Sequence, residues 1–244
     1  MSLANLAADA RILWHMARGQ PRRGDHAARL QAFYAPQAGS YDAFRERLLH
    51  GRTELVQRLA IGEGMRVVEL GCGTGSSLDR MGPHTGRCAS IQLVDLCPAL
   101  LDVARGRAAA YHNVEVVEAD ASRWQPAVAV DRVFLSYALT MIPDWDRTIA
   151  NAVAMLKQGG RLGVVDFHLP SSATALANSF WQRWFAHDGV HLSAAHLPTL
   201  LRLLPGAWTD ERRAPLPYLP GLQAPYYLYV GQRGAVAQDV SITR

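Results

Sequence analysis

An α/β fold built on a parallel, doubly wound sheet is predicted by three observations on this 244-residue sequence. Short apolar runs alternate with helical patterns from Met65 to Phe167, and alternating strands and helices of that length give a parallel sheet with helices on both faces. The first apolar run, Val67, Val68 and Leu70, breaks into glycines at alternate positions, Gly71, Gly73 and Gly75, before Ser76, Ser77 and Leu78. That reads as buried strand, tight loop and helix start. The fifth run, residues 162–167, is apolar except for Asp166, as suits a strand covered on both faces.

The elements follow in order. Leu3, Leu6, Ala10, Leu13, Trp14 and Ala17 recur at helical spacing, giving an amphipathic first helix that either packs on its own domain or lies on a membrane surface. Residues 19–24, with Pro21, break it. Phe33-Tyr34 and Gly39-Ser40-Tyr41-Asp42 come next, then a helix over 43–59 and a turn at Gly62-Glu63-Gly64. The second strand, 91–94, ends in Asp95, and Pro98 sits near the first turn of a helix to about 110. The third strand, 114–117, closes on Glu118-Ala119-Asp120-Ala121, and the fourth, 130–135, ends at Ser136-Tyr137. Pro143-Asp144 opens a helix ended by Gly159-Gly160. Helices over 171–187 and 193–204 precede strands near 207–212 and 226–231, which must pair antiparallel because no crossover helix separates them.

Bulk properties bound the function. Hydrophobic content of 49% and charged content of 19% describe a globular chain. No apolar run reaches the ~18 residues of a membrane span, and Asp9 and Arg11 interrupt the first twenty residues, so a cytoplasmic, uncleaved protein is expected, peripheral at the inner membrane face if the first helix docks there. Three cysteines, Cys72, Cys88 and Cys97, form no CxxC pair and point to reduced thiols. Lys157 is the one lysine among 25 basic residues, a compositional bias and not a nucleic-acid signal. Residues 1–60 hold nine arginines against five acids, an excess of four that equals the net charge of the whole chain, so the basic surface belongs to an N-terminal helical extension of residues 1–60, ahead of a domain of residues 61–244.

The glycine loop lets a ligand approach with no Cβ in the way. Ser76 stands where a dinucleotide loop would carry its last glycine. Glu69, just before the loop, suits a ligand ammonium and repels a pyrophosphate. Asp95, at the end of the second strand, is placed to accept hydrogen bonds from both hydroxyls of a ribose. Together they describe a nucleoside that carries an amino acid. Here the chain resembles the class I S-adenosylmethionine-dependent methyltransferases, whose first motif is an acid-x-Gly-x-Gly-x-Gly loop and whose second is this acid. The resemblance implies S-adenosyl-L-methionine as cofactor and a Rossmann-like, seven-stranded sheet with a reversed last strand. It assigns Glu69, Gly71, Gly73, Thr74, Gly75, Asp95, Leu96 and Ser136 to cofactor binding, and sets Asp120-Ala121 to meet the adenine amino group. The plainer reading of Asp120 is a loop acid capping the turn that follows.

A closer likeness lies in Leu135-Ser136-Tyr137-Ala138-Leu139-Thr140-Met141-Ile142-Pro143-Asp144, with Val165-Asp166-Phe167, Tyr41-Asp42-x-x-Arg45 and Ala224-Pro225-Tyr226-Tyr227. These residues look like the methyltransferase component of betaine-lipid synthesis, which implies trimethylation of the amine of diacylglyceryl-homoserine. The Asn/Asp-Pro-Pro-aromatic motif of nucleic-acid amino-methyltransferases is missing from the fourth strand's end, which argues against nucleic acid as acceptor. Methyl transfer from a sulfonium is an in-line displacement that needs alignment, exclusion of water and a neutral amine, and no metal. Tyr137, Asp166 and His168, at the ends of strands four and five, are the candidate catalytic groups, though His168 reads equally as a solvated loop residue. Tyr41 and Arg45 are expected on one face of an N-terminal lid, with Arg45 available to the methionyl carboxylate. His187-Asp188-x-x-His191 has metal-like spacing, but Gly189 interrupts it and no further ligands complete a site; a loop closing over the acceptor is the better expectation. The alternatives are a soluble small-molecule or quinone methyltransferase and, in another class, a non-catalytic methyltransferase-fold binding subunit.

Overall fold

A computed structural model describes residues 25–35, 41–186, 189–217, 219 and 221–234, residues 41–44 by their backbone alone. The expected first helix, the breaker after it, the Gly39-Ser40 pair and the His187-Asp188 pair lie outside the described residues.

The first described helix, α1, is His26–Tyr34, begun by Asp25, whose side chain accepts from the Ala28 N–H at 2.8 Å. The single helix expected over 43–59 is two: α2, Tyr41–Leu48, and α3, Arg52–Leu59. Gly51 breaks it, with φ +81°, and a Cβ there would lie 3.0 Å from the Tyr226 ring and 3.3 Å from Leu228. A glycine inside a helical pattern is tolerated on propensity alone; here the approach of the sheet decides that the chain bends.

Beyond it run β1, Arg66–Leu70; α4, Ser77–Met81; β2, Ser90–Asp95; α5, Pro98–Ala108; β3, Val114–Glu118; and β4, Val130–Ser136. A single 3-10 turn, Leu139–Met141, leads to α6, Trp145–Met155. The strand β5 spans Leu156–Phe167 and begins six residues before its expected start. Gly159-Gly160 therefore do not end the helix: Leu156 already pairs with Val130, and the Gly159 N–H donates to the Arg233 carbonyl at 2.9 Å. The remainder is α7, Ala175–Ala186; α8, His196–Leu203; β6, Trp208–Pro215; and β7, Gln223–Gln232.

These strands form one seven-stranded sheet of order β3-β2-β1-β4-β5-β7-β6. The first five are parallel, while β7 runs antiparallel to β5, with Gly163 opposite Val230, and β6 antiparallel to β7. The fold is thus the Rossmann-like methyltransferase sheet with its last strand reversed. One face buries Val67, Ile91, Leu93, Phe134 and Val165 beneath Leu55 and Leu59 of α3 and Leu101 of α5. The other buries Val68, Leu70, Val133, Leu135 and Leu162 beneath Ile149 and Met155 of α6 and Leu200 of α8. A smaller cluster of Leu30, Phe33 and Tyr34 with Cys97 and Leu100 fixes α1 on the start of α5, and the Gln31 side-chain oxygen accepts the Ala99 N–H at 3.0 Å, capping that helix from outside.

Candidate active site

Because β1 is flanked by β2 on one side and β4 on the other, the chain leaves the sheet in opposite directions there, and the crevice at the strands' carboxyl ends opens at that point. One cavity occupies it. Its walls come from the β1 loop, the ends of β2 and β4, the segment after β3, and residues of α1, α2 and the turn after α2, among them His26, Leu30, Tyr34, Arg45 and Leu49.

Glu69, in β1, reaches this cavity from a position only 3% exposed. Burial pushes its carboxyl up to about 8; the Ser77 hydroxyl, which donates to it, and the nearby charges of Arg80 and Arg52 pull the other way. Gly71 has φ +71°, and a Cβ there would sit 2.4 Å from that of Ala138, so the loop after β1 interlocks with the turn after β4 only through a residue without a side chain. At Gly73 an added Cβ would meet only Leu100, at 4.0 Å, and this residue lines the cavity. Thr74 is buried and lines it as well. Gly75 does not; an added Cβ there would press on Leu93 at 3.1 Å and Ala104 at 3.3 Å, so its smallness serves the packing of the loop on the sheet.

Asp95, at the end of β2, accepts the Gly73 N–H at 2.8 Å on one oxygen and the Cys97 N–H at 2.9 Å on the other. Burial raises its carboxyl above the usual range, opposed by these backbone bonds. An ionised carboxylate accepts at about four positions, so acceptor capacity remains toward the cavity that Asp95 and Leu96 line. Asp120 accepts the Ser122 N–H at 2.8 Å, and its carbonyl accepts from Arg123 and Trp124. The turn-capping reading therefore holds, while Asp120 and Ala121 also line the cavity. Ser136 lines it too, with its buried hydroxyl meeting no hydrogen-bond partner among the described residues.

The three candidate catalytic residues separate. Tyr137 lines the cavity, with its backbone at φ +56°, a conformation that a bulky residue adopts only when its surroundings impose it. Its hydroxyl donates to the His50 carbonyl at 2.8 Å and its ring stands edge-on to Phe167 at 4.8 Å. Burial drives the phenol well above its ordinary value, so it is neutral. Asp166 is wholly buried and is not part of the cavity wall. It accepts the Thr140 hydroxyl at 2.7 Å, the Thr140 N–H at 3.2 Å and the Phe167 N–H at 2.8 Å; burial holds its carboxyl up at about 6. It anchors the 3-10 turn that carries Met141 to the cavity. His168 also lies outside the wall, its ring nitrogen 2.9 Å from Glu211 and its ring against Tyr227, and burial lowers its pKa. Of the expected lid pair, the Tyr41 side chain lies outside what is described, and Arg45 lines the cavity with its guanidinium 3.4 Å from the Tyr34 hydroxyl. The His191 N–H donates to the Thr140 carbonyl at 2.6 Å. Among the described residues no cluster of three or more His, Cys, Asp or Glu could hold a metal.

Two arginines of the cavity were missed in the sequence. Arg52 donates to Glu46 at 2.7 Å and to the Leu49 carbonyl at 3.2 Å, and Arg80 bonds the Ser76 carbonyl at 2.8 Å while pairing with the same Glu46. Both line the cavity and bear electrostatically on Glu69. Arg80 stands four residues after Ser76 on a helical turn, a spacing that could have drawn it back onto the loop; for Arg52 no sequence signal exists, since only the fold brings α3 there.

This geometry suits S-adenosylmethionine: a loop free of side chains at Gly73, a buried acid beside it and a second acid bonded to the loop. Comparison with known proteins agrees. Residues 67–160 match the family model described as a methyltransferase domain. The chain is 27% identical over 177 residues to the ubiquinone/menaquinone biosynthesis C-methyltransferase of Vibrio cholerae, covering 69% of this chain and 68% of that one. In fold it resembles the N-methyltransferase NodS of Bradyrhizobium japonicum, solved with S-adenosyl-L-homocysteine, with TM-score 0.62, 18% identity and coverage of 84% and 99%. It likewise resembles a phosphoethanolamine N-methyltransferase of Haemonchus contortus, with TM-score 0.68, 12% identity and coverage of 87% and 61%. The loop, the two acids and the matched domain lead to one conclusion: the chain is an S-adenosylmethionine-dependent methyltransferase, built on the Rossmann-like methyltransferase fold.

Proposed function

We propose that the enzyme methylates the amine of a lipid headgroup, trimethylating diacylglyceryl-homoserine to a betaine lipid, with residues 1–60 as an extension that closes the cavity of a catalytic domain formed by residues 61–244. The cofactor supplies a methyl group on a sulfonium, open to in-line displacement. Glu69 takes the ammonium of its methionyl part, Asp95 the ribose hydroxyls, and Asp120-Ala121 the adenine edge, while Arg45, Arg52 and Arg80 supply the positive field for its carboxylate.

The observation that carries the choice of acceptor is the wall formed by residues 136–143. Residues 136–143 contain no acid, histidine or lysine, their one phenol is neutral and committed to the His50 carbonyl, and the first acid of the wall, Asp144, stands at its exposed outer end. An amine that arrives neutral needs no base in the displacement itself, only alignment and exclusion of water, which Tyr137, Met141 and Ile142 supply; the proton that the monomethyl and dimethyl ammonium must each lose before the next transfer leaves between transfers, at the exposed Asp144 end of the wall. Methylation at carbon requires a proton to be taken at the reacting atom, and residues 136–143 hold no group for that. Quinone methylation is the second reading, favoured by the name of the Vibrio cholerae relative.

Separate incubations with labelled S-adenosylmethionine, one with diacylglyceryl-homoserine and one with a demethylated quinone, distinguish them. Label in mono-, di- and trimethylated lipid is expected. Label on the quinone ring and none on the lipid would replace the lipid reading with the second.

A further inference from the structure

The helix α7 divides its large side chains in two. Trp181 and Phe185, four residues apart, are buried at 7% and 4% exposure. Leu176, Phe180 and Trp184, also at intervals of four, stand out at 84%, 43% and 40% and form one exposed stripe along successive turns, with Arg183 beside them. Isolated exposed apolar residues are ordinary, whereas an aligned leucine, phenylalanine and tryptophan on a helix mark a contact surface.

Two observations identify what it contacts. The first is charge: between Asp166 and Asp188 the sequence has no acid, so the stripe carries Arg183 and no negative charge of its own element. An apolar face with aromatic rings and a cation suits the boundary between acyl chains and anionic headgroups. The second is continuity with the active site. Rings follow one another from Tyr137 in the cavity wall to Phe167 at 4.8 Å, Phe185 at 4.3 Å, Trp181 at 5.7 Å, Phe180 at 5.0 Å and Trp184 at 5.8 Å. The exposed stripe is thus the outer end of a packed aromatic series whose inner end lines the cavity. None of the described helices is long and apolar enough to cross a membrane.

We infer that the Leu176, Phe180 and Trp184 face of α7, with Arg183, docks the enzyme on an anionic lipid bilayer and sets the cavity against the headgroup of its acceptor. As a statement about acceptor delivery, this rests on the lipid-amine reading; as a statement about docking, it is tested without any acceptor. The full-length chain and a Phe180→Gln/Trp184→Gln variant are sedimented with phosphatidylglycerol vesicles and with phosphatidylcholine vesicles, neither holding an acceptor. The wild type is expected to bind the anionic vesicles, with a blue shift of tryptophan emission, and the variant to bind roughly tenfold more weakly or worse while retaining its affinity for S-adenosylhomocysteine. A variant that binds vesicles as tightly as wild type overturns the inference. So does a wild type that ignores vesicles but self-associates through this face, as shown by a variant that sediments as a smaller species. Methylation of detergent-dispersed diacylglyceryl-homoserine, measured alongside, keeps the two ideas apart: no methylation with intact docking removes the acceptor reading alone, and methylation with docking indifferent to the variant removes the docking face alone.

Discussion

Glu69 and Asp166 each hold a proton in the folded chain at pH values where the unfolded chain has lost it. Burial raises Glu69 from 4.5 to about 8 and Asp166 from 3.8 to about 6. Native protein therefore binds more protons than unfolded protein across those intervals, and stability must fall as pH rises through them. Below about 6.5 the buried His168 and His196, whose pKa values are lowered, act in the opposite sense, so the decline of the melting temperature of the cofactor-free enzyme is expected between about 6.5 and about 8, and Glu69→Gln is expected to flatten it there. Thermal melts across a pH series measure this, and an unaltered slope in the variant would contradict the assignment of the proton to Glu69. The same argument bears on ligand binding, because an ammonium beside Glu69 stabilises its ionised form. Glu69 itself was legible in the sequence from its place before the glycines. Its partner charges were not, because Arg52 and Arg80 lie in separate helices that only the fold brings together, where both pair with Glu46 and line the cavity.

At the scale of elements, the link between Asp166 and the 3-10 turn Leu139–Met141 joins the end of β5 to the acceptor wall. A valine at position 140 would keep the shape of the side chain and remove the donor that Asp166 meets at 2.7 Å. Thr140→Val is expected to cost about 1 to 3 kcal/mol, the range for a buried acceptor that loses a partner, and to slow methyl transfer while leaving S-adenosylhomocysteine affinity near that of wild type. Chemical denaturation and calorimetry measure the two effects; equal losses in stability and cofactor affinity would mean that the turn supports the cofactor side instead. The inner strands β1, β4 and β5 were legible as apolar runs because burial on both faces leaves few other residue choices, whereas the edge strand β3 is nowhere fully buried and was legible only from its valines. The boundary at Leu156 was not, since Leu156 fits the inward stripe of α6 as well as the first position of β5, and only pairing with Val130 decides. Asp166 likewise read as a catalytic candidate because it ends a strand at the switch point, and sequence cannot say to which side of that strand a carboxylate turns.

Across the whole molecule, the helices of the N-terminal region are joined to the sheet at two distant places. Glu54 on α3 takes two nitrogens of Arg212 on β6, at 2.5 and 3.1 Å, and Arg58 lies over the Trp208 ring at 3.4 Å. At the other end α1 caps α5 through Gln31 and contributes His26, Leu30 and Tyr34 to the cavity. Charge asymmetry foretold a basic N-terminal region, but not that α3 would be core or that α7 would carry the exposed aromatic stripe, because each depends on which face the sheet leaves uncovered. The depth of the cavity has a kinetic consequence. Glu69 and Thr74 are buried beneath these walls, whereas Pro143 and Asp144, at the end of the acceptor segment, are exposed. An acceptor seated at that outer position would block the way to the inner one. Turnover is therefore expected to follow a compulsory sequence, nucleoside in first and out last, with S-adenosylhomocysteine competing against S-adenosylmethionine and inhibiting noncompetitively against the acceptor. Product-inhibition patterns read this directly, and competition between S-adenosylhomocysteine and the acceptor for the free enzyme would show instead that the two substrates enter independently.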